Sequence, residues 1–208
     1  MAEAKQKDAR VWEQDPIGWY VEPERCTDQL AAVEAFAGRT WDPCCGGGNI
    51  VRALRRAGVS CHGTDIVRRV PDGTNWFLGE RDFLTGRPLP VWSNLVFNPP
   101  FFRAKGTEAF IRRGLELAAG NPSAGKMAVF VDLKFLAGDG RANGLFAEHP
   151  PHRVWIITPR PSCPPGTFLA AGGEAEGGTA DWCWLVWNLR EPRRATEFGW
   201  LRRIGATA

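Results

Sequence analysis

The tetrad Asn98-Pro99-Pro100-Phe101, reached through the apolar run Leu95-Val96-Phe97, holds the residue types needed to grip one planar amino group. Proline fixes φ and donates no backbone N–H, so the carbonyls of Asn98 and Pro99 can face a site instead of joining a ladder. Two acceptors then meet one substrate NH2. Phe101 adds a flat apolar surface for a conjugated ring, a contact of about 1–3 kcal/mol when the ring is a nucleobase. The competing reading is a strand ended by proline with a phenylalanine in the core, and four residues alone do not decide between the two.

About fifty residues upstream, Trp41-Asp42-Pro43-Cys44-Cys45-Gly46-Gly47-Gly48-Asn49 ends a short strand and runs into a helical segment over 50–57. Three consecutive glycines keep Cβ atoms out of the turn, which lets backbone approach a ligand and tolerates positive φ. Asp42 stands where a carboxylate could meet a cation. Nicotinamide enzymes also use a glycine-rich turn, but theirs reads G-x-G-x-x-G and cradles a pyrophosphate. That third glycine is missing here: the residue three beyond Gly48 is Val51.

Two further acids follow in order. The segment 59–66 reads as a second strand closing on Asp65, the position at which a ribose diol is hydrogen-bonded in dinucleotide folds. Gly79-Glu80-Arg81-Asp82-Phe83 then sets a carboxylate beside an aromatic at a strand end, suited to an adenine amine and ring face. Each acid taken singly fits a solvated loop residue as well.

Together these residues resemble the S-adenosylmethionine-dependent methyltransferases of the Rossmann-like class, in particular the amino-methyltransferases that modify exocyclic nitrogens of nucleobases. The chain is most similar to DNA N6-adenine methyltransferases of bacterial or phage type. The resemblance covers roughly residues 18–190. It implies S-adenosylmethionine as cofactor. Asp42, Pro43, Cys44, Gly46 and Gly48 would hold its methionine part, Asp65 and Ile66 its ribose side, and Asp82 and Phe83 its adenine. It implies that Asn98, Pro99, Pro100 and Phe101 bind the target amine, with Asn98 also touching the cofactor. Trp19-Tyr20-Val21-Glu22-Pro23 looks like the segment that precedes the cofactor turn in this family, which implies cofactor contact for Tyr20, although the usual threonine before the proline is Glu22 here.

The implied mechanism follows from bond chemistry. An exocyclic amine is a poor nucleophile because its lone pair is delocalised into the ring. When the Asn98 side-chain oxygen and the Pro99 carbonyl accept its two N–H bonds, the nitrogen can pyramidalise toward an activated methyl. Orientation and preorganised dipoles supply the catalysis, so no catalytic histidine is expected. The related acceptors are guanine N2 or adenine N6 of RNA and glutamine side chains of proteins. A catalytically silent nucleic-acid-binding module is the non-enzyme alternative.

The elements that must position these groups alternate. Helices are expected near 27–36, 50–57 and 107–119, and strands over 126–132, 153–158 and 182–189, a succession that implies a mostly parallel sheet. The expected fold is α/β of the Rossmann-like class I methyltransferase type: a mostly parallel seven-stranded sheet with an antiparallel last strand and helices on both faces. An N-terminal arm over 1–17 precedes a single domain over 18–208, which carries a Pro/Gly-rich loop at 159–181.

A chain of 208 residues with 44% hydrophobic content can bury one core. No apolar run approaches the roughly 18 to 20 residues that a bilayer requires. The first eight residues lack a signal-peptide core, so a cytoplasmic protein without membrane association is expected. Cys26, Cys44, Cys45, Cys61, Cys163 and Cys183 lack zinc-site spacing, and no metal is expected.

A net charge of +3 is too small to argue for nucleic acid by itself, so the position of the basic residues matters. They gather at Arg52, Arg55 and Arg56, at Arg68 and Arg69, at Arg112 and Arg113, and at Arg190, Arg193, Arg194, Arg202 and Arg203. DNA is the expected partner, and the last set is the candidate for phosphate contact. Lys134 and Trp182 are further substrate-binding candidates, the first for a phosphate and the second for stacking. No target-recognition domain fits between the motifs, so segments 136–149 and 159–181 and the termini would have to read a duplex, and the target base would leave the stack.

Overall fold

Leu95, Val96 and Phe97 form, with Asn94, a strand buried at every position, and the remaining elements are built around it. In a computed structural model of the chain, residue 15 and residues 17–101, 103–175, 177–178, 180–192 and 195–205 are described. Almost all of the expected N-terminal arm, together with Arg193 and Arg194, lies outside them.

The elements run α1 (Glu24–Ala31), β1 (Thr40–Asp42), α2 (Asn49–Arg56), β2 (Cys61–Asp65), β3 (Phe77–Glu80), β4 (Asn94–Phe97), α3 (Arg103–Ala119) and β5 (Lys126–Asp132). A 3-10 turn (Leu133–Ala137) leads to α4 (Asp139–Asn143), α5 (Leu145–Glu148), β6 (Arg153–Ile157), α6 (Gly166–Ala170), β7 (Trp182–Asn188) and β8 (Glu197–Leu201). The sheet order is β3-β2-β1-β4-β5-β7-β6-β8.

The expected α/β class holds, with two differences in the sheet. Among the described residues there are eight strands where seven were expected, and the reversed strand is β7, inserted antiparallel between β5 and β6. The last strand, β8, pairs parallel to β6 from Arg153↔Glu197 to Ile157↔Leu201. The sequence of β8 hides it: Phe198 and Trp200 are exposed, and Gly199 interrupts the apolar pattern. That glycine is needed because a Cβ there would overlap the Trp155 ring.

Helices cover both faces, so the central strands read as continuous apolar runs. The two-residue period sorts them cleanly. Val96, Ala128, Phe130, Trp184 and Val186 join Cys26 and Leu30 of α1 and Ile50 and Leu54 of α2 in one core. Leu95, Phe97, Met127, Val129, Val131 and Leu185 join Ile111 of α3 in the other. α1 begins directly after Pro23 and stops at Ala31, short of the expected 36. Glu34 is instead drawn into the interior, where its carboxylate accepts from Arg153 Nε, from Lys126 Nζ at 2.6 Å and from Trp155 Nε1 at 2.9 Å.

Segment 136–149, expected to take part in reading a duplex, carries the short helices α4 and α5, and the expected loop at 159–181 carries α6. Residues 161–166 are buried. They are held by Val21 N donating to Pro164 O and Gly166 N donating to Trp19 O, so this part of the Pro/Gly-rich stretch is a wall and not a free loop.

Most of the basic clusters are engaged locally. Arg52 and Arg56 pair with Glu24, and Arg56 also with Asp28. Arg68 pairs with Asp72, Arg112 with Glu108 and Glu148, and Arg113 with Glu116. Arg190, expected to face phosphate, donates instead to the carbonyls of Pro122 and Ala124, while Arg202 and Arg203 stay exposed.

Candidate active site

The strand order reverses between β1 and β4, and the carboxyl ends of parallel strands at such a reversal form the crevice where ligands bind in doubly wound sheets. A cavity of about 310 Å³ opens there, walled by the ends of β1, β2 and β4 and by the chain over 17–22. Glu22, Asp42, Gly46, Asp65, Asn98 and Pro100 all line it.

Asn98 directly follows β4, and its amide is oriented by its partners. Nδ2 donates to Tyr20 O at 3.0 Å and to Glu22 Oε2 at 2.7 Å. A backbone carbonyl can only accept, so the nitrogen is fixed on that side and Oδ1 on the other. Oδ1 is buried and has no hydrogen-bond partner. An orphaned buried acceptor costs about 1–3 kcal/mol, so it marks a place for a donor that is not part of the chain.

Pro99 is buried behind Asn98, whereas Phe101 lines a second cavity of about 280 Å³. Thr107, Val131, Asp132, Lys134, Phe135 and Arg141 form the rest of that wall. The tetrad therefore stands between two cavities, with Asn98 and Pro100 on the larger and Phe101 on the smaller.

The glycine turn divides its labour. Gly46 (φ +50°) faces Trp19, whose Nε1 would lie 2.7 Å from an added Cβ, and Gly48 (φ +90°) faces Trp76. Gly48 does not line the cavity. It serves the fold as the left-handed cap of α2. Gly47 borders the cavity and has nothing within 4 Å of a Cβ position. Pro43 and Cys44 line it as well.

Asp42 accepts from Cys44 N at 3.0 Å through Oδ1, while its buried Oδ2 has no partner. Burial pushes this carboxyl well above the ordinary range; the Cys44 N–H opposes that, and the nearby Glu22 and Asp65 charges reinforce it. A buried acid of this kind gains most from a cation in the cavity.

Asp65 is more fully engaged than expected. Oδ2 accepts from Gly46 N at 2.8 Å, and Oδ1 accepts from Val67 N at 3.1 Å and Arg69 Nη1 at 2.6 Å. Arg69 also lies over the Trp19 ring, 4.5 Å from its centroid. Ile66 is exposed at the rim. Asp82 holds its own turn, accepting from Leu84 N and from Thr85 Oγ1, and the Thr85 bond holds its carboxyl below the ordinary value. Phe83 is buried, stacked on Phe110, and both reach the cavity.

Tyr20 lines the cavity through the segment bridged to Pro165, and its ring meets Phe101 edge-on at 5.8 Å. Trp182 lines neither cavity. It is stacked on Phe130 at 4.9 Å and supports Phe101 from behind at 5.1 Å, so it backs the aromatic surface and does not offer one. Lys134 is exposed at the rim of the second cavity.

The residue that sequence reasoning undervalued is Glu22. It is buried, bonded to Asn98, and its carboxyl is pushed up to about 7 by burial, against the pull of its backbone and Asn98 hydrogen bonds. The available signal was an acid in the otherwise apolar stretch Trp19-Tyr20-Val21, immediately before a proline. Arg69 was legible only as part of a basic pair.

All six cysteines are free, and burial pushes the Cys44 and Cys163 thiols well above their ordinary value. Among the described residues, no group of three or more His, Cys, Asp or Glu is placed to hold a metal ion, and no helix is long and apolar enough to cross a membrane.

No protein-family model matches the sequence, and no curated protein matches it. Solved structures do resemble it. A chain from Vibrio vulnificus YJ016 described as a modification subunit of a type I restriction enzyme superposes with TM-score 0.55 at 16% identity, over 88% of this chain and 47% of that one. The present chain thus spans about half the length of that subunit. A Lactococcus lactis protein described as a hemolysin gives 0.51 at 10% identity, over 83% and 92% of the two chains. An Agrobacterium tumefaciens protein described as an O-methyltransferase gives 0.50 at 13%, over 86% and 84%. At these identities the likeness establishes the fold: a Rossmann-like α/β sheet of the kind methyltransferases use.

Proposed function

We propose that the protein transfers the methyl group of S-adenosylmethionine to the exocyclic amine of a nucleobase, with adenine N6 in DNA as the acceptor. The observation that carries this reading is the Asn98 amide on the wall of the larger cavity, clamped at its nitrogen, with its buried oxygen unpartnered.

The larger cavity fits the cofactor. The orphaned Asp42 oxygen suits an ammonium group, Gly47 leaves the turn open, and Ile66, Phe83 and Phe110 offer apolar surface to a purine. When bound, S-adenosylmethionine supplies a methyl carbon activated by a sulfonium. Asn98 Oδ1 and the Pro99 carbonyl accept the two N–H bonds of the target, which draws its lone pair out of conjugation. Phe101, backed by Trp182 and Phe130, carries the ring on the second side. Lys134 and Arg141 at that cavity favour an acceptor bearing phosphate. DNA is favoured further by the likeness to a chain described as a restriction-modification subunit.

The test is incubation with methyl-labelled S-adenosylmethionine and, separately, duplex DNA, single-stranded DNA, structured RNA and protein extract. Nucleosides from the labelled product are then separated. Label in N6-methyladenine of DNA is expected. Label confined to RNA, to protein or to another base moves the acceptor accordingly, and tight cofactor binding without transfer to any of them overturns the enzyme reading.

A further inference from the structure

Glu22 sits where the proposed chemistry would not by itself put an acid. Its backbone carbonyl accepts from Asn49 Nδ2 at 2.7 Å, which ties residue 22 to the start of α2. Its side chain is 5% exposed and reaches across the cavity wall to Asn98 Nδ2. Asn98 Oδ1, on the far side of the same amide, has no partner in the protein. The carboxylate therefore meets the nitrogen end of one conjugated amide, and the orphaned oxygen is its other end.

We propose that Glu22 is a positioning residue for the amine-binding oxygen: it holds the Asn98 amide with Oδ1 toward the acceptor, and its charge strengthens that oxygen as a hydrogen-bond acceptor. This rests on the function proposed above. An anion accepting from Nδ2–H favours the amide resonance form with negative charge on oxygen, and hydrogen-bonded chains polarise one another in this way. Without Glu22, Nδ2 would keep only the Tyr20 carbonyl, and a flipped amide would present N–H to a substrate that itself donates.

The charge state of Glu22 is set by a small group of neighbours. Burial raises its carboxyl to about 7; its hydrogen bonds to backbone and to Asn98 lower it, as does Arg52 of α2, and Glu24 of α1 raises it. Asp42 at the end of β1 feels its charge, as do Cys26 of α1 and Cys163 in the chain before α6. The anionic, polarising form is thus gained as pH rises through about 7.

Two measurements on the full chain decide this. In the first, kcat and cofactor KM are followed across about pH 5.5 to 9 for wild type, Glu22→Gln and Glu22→Ala. Wild-type kcat should rise through neutrality to a plateau. Glu22→Gln keeps an acceptor for Nδ2 and should lose the rise, with kcat on the plateau lower by about fivefold; Glu22→Ala should lose about fiftyfold, with cofactor KM within about threefold in both. A rise that persists in Glu22→Gln overturns the proposal, as does a loss carried wholly by cofactor KM, which would make Glu22 a cofactor ligand. In the second, the Asn98 side-chain NH2 resonances, identified by their loss in Asn98→Ala, are titrated without substrate. They should shift with a midpoint near 7 in wild type and stay still in Glu22→Gln; pH-independent resonances in wild type overturn the proposal. A protein that transfers to no acceptor but shows this titration would fail the functional reading while retaining the Glu22–Asn98 coupling.

Discussion

The Trp76 indole lies so close to Cα of Gly48 that an added Cβ would overlap its Cη2 and Cζ2, whereas the adjacent Gly47 would meet nothing within 4 Å. Two neighbouring glycines in one turn thus answer to different constraints, one to the fold and one to the cavity. Gly48→Ala combines a left-handed φ of +90° with that overlap and should cost about 2–3 kcal/mol of stability. Gly47→Ala should leave stability within about 0.5 kcal/mol while weakening cofactor binding. Urea unfolding and cofactor titration of the two variants check this; equal stability loss in both contradicts it.

Asn98→Ala removes the unpartnered oxygen that faces the proposed acceptor. Transfer should fall by at least about 100-fold, as for the loss of other preorganised hydrogen-bonding groups, with the cofactor dissociation constant changed by less than about threefold. Single-turnover rates and equilibrium binding separate the two. Retained transfer would remove Asn98 from the chemistry.

Glu22 makes the protein less stable as pH rises. Its carboxyl is raised from 4.5 to about 7 in the folded chain, so the folded state holds the proton more tightly than the unfolded state. The associated stability is complete below about 4.5 and is lost as pH rises through about 7, amounting to about 3 kcal/mol. Asp42, also raised, acts in the same direction. Glu22→Gln should flatten this slope, so that the variant matches wild type near pH 4.5 and exceeds it near pH 8 in unfolding free energy. Parallel pH profiles for the two proteins are the contrary result.

A cation entering beside Oδ2 should favour the ionised form of Asp42. Burial and the neighbouring acids hold its carboxyl well above the ordinary range, and an ammonium beside Oδ2 would oppose that shift. Binding calorimetry of S-adenosylhomocysteine in buffers of different ionisation enthalpy should report proton release in wild type and less of it in Asp42→Asn. Glu22 shares the cavity, so the Asp42→Asn difference, and not the total, is the diagnostic quantity.

Lys134, exposed beside Phe101, should act on acceptor affinity and not on the chemical step. Lys134→Ala should raise the KM for DNA a few-fold and reduce the salt slope of log KM by about 1, the value for one lost phosphate contact, with kcat little changed. An unchanged salt slope would leave Lys134 as surface cover.

The sequence by itself determined the fold class, because apolar runs such as Met127-Ala128-Val129-Phe130-Val131 need helices on both sides and the alternation of elements supplies them. It also set the order of the chemical residues: Asp42 closing β1, Asp65 closing β2 and Asn98 directly after β4, each at a strand end that composition and turn residues reveal. Only the tertiary structure decided which of these acids are already engaged: Gly46 N reaches Asp65 from 19 residues away, and the nearer partners, Arg69 for Asp65 and Thr85 for Asp82, depend on how each turn is folded. It moved Trp182 from substrate surface to support, and it gave the sheet an eighth strand whose pairing with β6 depends on a partner 44 residues away. It also turned Glu22 from a departure in a familiar segment into the neighbour of Asn98, 76 residues on in the chain. Local propensity and hydrophobic period act over a few residues and are written in the chain, whereas the burial of a charge and the partner of a hydrogen bond exist only once distant segments have met.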